Sequence, residues 1–88
     1  MKISIKLLTE VINNWDPIGL LAGGAPQNEY DIEINQIAQK SITCTNEIEL
    51  AKLIYRVFND MMGVKLDHLS CLKQAFKITD RNNNTLFN

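Results

Sequence analysis

Three groups of residues in this chain could do chemistry by type and spacing. His68 and Cys71 lie three apart, so on a helix they share a face, the arrangement of a thiol nucleophile and its base. Such a pair needs a third group to orient it. Asp67, the adjacent acid, points away at about 100° on a helix and serves poorly. The residues read better as an exposed first-turn histidine beside a buried cysteine. Glu29 and Glu33, at i and i+4, share a helix face that Asp16 could approach from a loop, and three carboxylates can hold Mg²⁺ or Ca²⁺. There is no EF-hand spacing and no histidine nearby, so the residues read as a solvated acidic face or a partner-binding patch. Gly23-Gly24-Ala25-Pro26 before a helix suggests anion binding, but it lacks the GxGxxG spacing and the lysine of a P-loop. Three acids in the helix that follows would also repel phosphate. The residue patterns therefore predict no catalytic residue, no cofactor and no metal.

The elements that must position these residues read as helices. Ile5, Leu8, Val11, Ile12 and Trp15 recur at helical spacing over residues 3–14, and Asp16-Pro17 ends the run. Residues 16–27 form a loop by composition, yet Ile18, Leu20 and Leu21 are too apolar to leave in water. The loop is expected to fold back and bury them. A second helix is expected over 28–41, capped by Asn28 with Glu29, Asp31 and Glu33 at its positive end. Tyr30, Ile34, Ile37 and Ala38 form its buried stripe. A third, over 46–62, has Thr45 or Asn46 as cap, Glu49 at capping-box spacing and Gly63 as terminator. Leu50, Leu53, Ile54, Val57, Phe58, Met61 and Met62 trace its core face. The fourth, over 67–78, starts at Asp67 with Leu66 and Cys71 as a hydrophobic staple, and Leu69, Leu72, Ala75, Phe76 and Ile78 face inward. The expected architecture is all-α, a compact four-helix domain over residues 1–79 with an ordered Gly/Pro loop between helices one and two. Residues 80–88, rich in asparagine, read as a disordered polar tail.

Eighty-eight residues make one domain, able to bury roughly 60–65 % of its unfolded surface. The longest uncharged stretch, 17–28, is broken by glycine and proline and falls short of the about 20 apolar residues a bilayer span needs. Residues 1–12 are interrupted by Glu10 and lack a cleavage site, so they read as a helix rather than a signal peptide. A cytoplasmic location is expected, with Cys44 and Cys71 as buried or idle thiols. The net charge of −1 is unevenly spread. Residues 7–39 contain no Lys or Arg and carry −5, from Glu10, Asp16, Glu29, Asp31 and Glu33. Basic residues of the C-terminal half are scattered among acids, which argues against nucleic-acid binding.

Trp15-Asp16-Pro17-Ile18-Gly19, then Gly24-Ala25-Pro26, then Glu29-Tyr30-Asp31-Ile32-Glu33-Ile34 resembles the YugE-like family of small, all-helical bacterial proteins of unknown function. Glu49-Leu50-Ala51, Phe58 and Gly63 are similar to a further segment of that family, and Cys71–Ile78 to its last helix. The resemblance spans about residues 7–78; Leu21-Ala22-Gly23 and the polar tail depart from it. It implies a fold and supplies no activity.

The functional expectation is a non-catalytic protein-binding module, specifically an immunity or inhibitor protein that neutralises a cationic toxin such as a nuclease. Asp16, Glu29, Asp31 and Glu33 are the expected polar contacts, with the exposed part of the loop, including Ile18, and Tyr30 as anchors. For Trp15 and Tyr30 a purely structural role, pinning the loop to the bundle, stands beside the recognition role. A small-ligand or ion-binding protein using the 16–27 loop is the alternative function, and an oligomerisation unit using Leu7, Ile32 or Ile48 a third.

Overall fold

A computed structural model describes the backbone of residues 1–87 and the side chains of residues 1–84. Four α-helices make up the domain: α1 Ile5–Trp15, α2 Asp31–Lys40, α3 Glu47–Met62 and α4 His68–Phe87, with a single 3₁₀ turn at Ser41–Thr43 between α2 and α3. Each helix packs on two neighbours, α1 on α2 and α4, and α3 on α2 and α4, which closes a ring around one core. The α3–α4 contact is the most extensive. The core is built from Leu8 and Ile12 of α1, Ile34 and Ile37 of α2, Leu50, Ile54 and Phe58 of α3, and Cys71, Ala75 and Ile78 of α4.

Local signals set most of the boundaries. The Leu7 N–H donates to Ser4 Oγ (3.1 Å), which starts α1. Asp16 ends it in the left-handed region (φ 51°), a conformation that aspartate tolerates better than most residues. Asn46 Oδ1 accepts the Glu49 N–H (2.9 Å), while Glu49 Oε1 reaches back to the Thr45 N–H (2.6 Å) and hydroxyl (2.8 Å). This is a capping box extended by one residue. Gly63, at φ 68°, closes α3 as expected. Asp67 Oδ2 accepts the Ser70 N–H (2.8 Å) at the start of α4.

Four expectations need correction. Asn28 does not cap α2. The chain turns through 27–30 and the helix starts at Asp31, with Tyr30 at the cap position and no capping side chain. Burial of the Tyr30 ring decides this boundary over the local preference of Asn28. On α4 the buried stripe is Cys71, Gln74, Ala75, Ile78 and Thr79, whereas Leu69 and Phe76 lie outside. The small Cys71 and Ala75 lie on the buried face of α4, whose packing against α3 and α1, rather than hydrophobicity alone, selects which side is covered. Met61 likewise sits at the surface. Finally, α4 continues to Phe87 instead of fraying after Thr79. Arg81 pairs with Glu10 of α1, and Asn82 Nδ2 donates to the Lys2 carbonyl (3.1 Å), so residues 80–87 belong to the helix; Asn88 lies outside the described residues.

The segment before α1 is also held. Ile3 is buried, and the Met1 ammonium donates to the carbonyls of Ser41 (2.6 Å), Ile42 (3.0 Å) and Cys44 (2.6 Å).

Candidate functional site

Asp16 organises the loop between α1 and α2. Its N–H still bonds the Ile12 carbonyl (2.8 Å), so it belongs to the helix by its nitrogen and to the loop by everything else. The left-handed turn swings its carboxylate back over residues 20–22. Oδ1 accepts the Leu21 N–H (3.1 Å) and Oδ2 the Ala22 N–H (2.9 Å). Tyr30, arriving from the far end of the loop, donates its hydroxyl to Oδ1 at 2.6 Å. The same phenol oxygen faces the N–H groups of Ile18 and Leu20 at 3.4 Å, long contacts that contribute weakly. Backbone bonds from Gly23 to Gly19 (3.0 Å), Gly24 to Leu21 (3.0 Å) and Ala25 to Leu20 (2.9 Å) complete a compact turn. Gly24, at φ 98°, takes a conformation that side chains avoid.

The electrostatics follow from this geometry. The hydrogen bond from Tyr30, with help from the backbone N–H groups, holds the Asp16 carboxyl below its ordinary value. Burial, and then the bond to Asp16, pushes the Tyr30 phenol up. Both shifts favour a carboxylate accepting from a neutral phenol.

Beneath the loop lies Phe58. The Tyr30 ring meets it edge-on with centroids 5.9 Å apart, and Trp15 does the same at 6.4 Å. The two aromatics that flank the loop in sequence thus share one floor on α3.

Of the six expected contact residues, the structure divides the set. Glu29 and Asp31 are exposed. Asp16 and Ile18 are half-buried, and the Asp16 carboxylate is occupied by its three donors. Tyr30 is fully buried, so the surface-anchor role does not fit it and the pinning role does. Glu33 is only 5 % exposed, turned into the protein, with Oε1 buried and without a hydrogen-bond partner. Asp16, Glu29 and Glu33 do not converge, and among the described residues no group of three His, Cys, Asp or Glu side chains is placed to hold a metal ion. His68 and Cys71 separate as well. His68 is exposed and stacks on Tyr55 at 4.3 Å, while burial pushes the Cys71 thiol up to about 11, away from thiolate reactivity. Among the described residues no helix is long and apolar enough to cross a membrane.

Two features were not read from the sequence. Asn13 Nδ2 ties α1 to the Gln27 carbonyl (2.9 Å), which anchors the second half of the loop. Lys40, Lys52 and Arg56 gather around an open groove of about 660 Å³ between α3 and the end of α2. The i, i+4 spacing of Lys52 and Arg56 is a visible signal; their meeting with Lys40 depends on how the 3₁₀ turn folds.

Comparison with family models, with curated proteins and with solved structures returns no match.

Proposed function

We propose that the chain is a non-catalytic protein-binding module, an immunity or inhibitor protein that acts in the cytoplasm and neutralises a cationic toxin, with a nuclease as the favoured target. The kinship with the YugE-like family belongs to the same proposal and adds no activity. The observation that carries the reading is the pair Glu29 and Asp31, both exposed where a rigid loop meets α2, in a 33-residue stretch without a single basic residue. Ile32, 64 % exposed beside them, supplies an apolar contact. The loop needs no ordering on binding because Asp16 and Tyr30 already hold it, which lowers the entropic cost of association. Acidic complementarity accelerates encounter with a basic cleft, towards about 10⁸–10⁹ M⁻¹s⁻¹ at low salt. The alternative of a ligand held by the loop is less well supported, since the Asp16 carboxylate and the Tyr30 hydroxyl are spent on the loop itself.

The test is capture of partners from the native cell at low and high salt, followed by kinetics with a Glu29→Gln/Asp31→Asn variant. A basic nuclease released by salt, whose association slows by about tenfold or more with the variant, is the expected result. Recovery of no partner at either salt, or kinetics unchanged by the variant, would sink the reading.

A further inference from the structure

We infer that the groove between α3 and the end of α2 is a binding site for a small polyanion bearing clustered phosphate or carboxylate oxygens. This site is separate from the acidic edge, and the inference does not depend on the proposed toxin partner. The groove holds Lys40 on one wall and Lys52 and Arg56 on the other, with Gln39, Thr43 and Cys44 between. All three cations are exposed, and none makes an ion pair with a described residue. One carboxylate, that of Glu49, also lines the groove, but its Oε1 already accepts the Thr45 N–H and hydroxyl at the cap of α3. The Glu49 carboxylate keeps its charge and interacts with Lys52, so the groove sets three positive charges against one negative. Lys52 and Arg56 stand one turn apart on the same helix face, where like charges repel. A dianion or trianion in the groove would relieve that repulsion with charge-assisted hydrogen bonds, which are stronger than neutral ones.

Size and long-range charge select the ligand class. A groove of about 660 Å³ lies within the range of small-molecule sites. A long polyanion such as a nucleic acid would also meet the −5 of residues 7–39, on a chain whose net charge is −1. A compact ligand experiences mainly the local field, because charges beyond about 10 Å are screened at ordinary ionic strength.

The experiment titrates the full chain with inorganic pyrophosphate and, separately, with citrate at low salt, read by calorimetry and by amide NMR shifts. The expected result is saturable one-to-one binding of at least one probe, with the largest shifts at Thr43, Cys44, Lys52 and Arg56. Preference for pyrophosphate assigns a phosphate ligand, and preference for citrate a polycarboxylate. Lys52→Gln/Arg56→Gln should weaken binding by about tenfold or more, whereas Lys65→Gln/Lys73→Gln, an equal charge change outside the groove, should alter it by about twofold at most. The inference is overturned if neither probe saturates below about 10 mM, or if both double variants weaken binding equally, which would reduce the effect to net charge. Thermal unfolding of each variant confirms that it is folded before titration.

Discussion

The loop over residues 16–30 and the groove around Lys40, Lys52 and Arg56 treat their polar groups in opposite ways. In the loop, each oxygen of the Asp16 carboxylate accepts at least one hydrogen bond from within the loop, and the Tyr30 hydroxyl is bonded there too. In the groove, three cations stand without an ion-pair partner among the described residues. Internally satisfied polar groups hold a structure together, while charges left facing solvent in a concave wall hold nothing up and remain open to a ligand. The more ornate sequence motif is thus the better candidate for scaffolding, and the plainer one for binding.

That contrast breaks most visibly at Phe58. Replacing it with alanine removes the floor beneath both Trp15 and Tyr30, and a loss of about 3–5 kcal/mol is expected in urea unfolding. A smaller loss would mean that the loop is not seated through its aromatics.

Tyr30→Phe keeps the ring and removes one hydroxyl. It should cost about 1–3 kcal/mol at neutral pH, since the charge-assisted hydrogen bond that the buried phenol donates is lost. Its signature is the pH dependence. The Asp16 carboxyl is held below 3.8 when folded, so its contribution is complete above about 4 and is lost as pH falls through the lowered value. The Tyr30 phenol is held above 10.0, so its contribution is complete below about 10 and is lost as pH rises through the raised value. Glu49 and Asp67, lowered by their capping bonds, share the acid arm, and Cys71, raised by burial to about 11, shares the alkaline one. The variant should therefore shrink both arms without abolishing either. A urea midpoint measured from pH 3 to 11 that kept both arms intact would remove the Asp16–Tyr30 bond from the account.

The smallest effect sharpens the other side of the comparison. Lys52→Gln/Arg56→Gln should change stability by no more than about 0.5 kcal/mol, because neither side chain supports the fold. A clear destabilisation would show that these cations are structural after all.

Much of this molecule was legible in its sequence, and the exceptions share a cause. The all-α class, the α3 boundaries and the Asp67 cap were readable because Asn46, Glu49, Gly63 and Asp67 act on backbone within a few residues. The start of α2 was misread because the burial of Tyr30, on an α3 residue far along the chain, outweighs a good local cap at Asn28. The rotation of α4 escaped because Gln74 and Thr79 occupy buried positions while Leu69 and Phe76 do not, which a hydrophobicity pattern assigns the other way round. The acidic site lost Tyr30 and Glu33 to the interior for the same reason: spacing places residues on a helix, not on one side of a bundle. The Lys40–Lys52–Arg56 cluster crosses two helices and a turn, so no single segment announces it.

The embrace of α1 by α4 also sets an order of assembly during synthesis. Glu10 and Val11 line the seam with α4, and the partners of Glu10 and Lys2 are Arg81 and Asn82. The chain grows from its N-terminus, so α1 is made before α4, and one flank of the first helix stays bare until the last one emerges. During that interval the Val11 edge is the sticky surface that a nascent-chain chaperone would encounter.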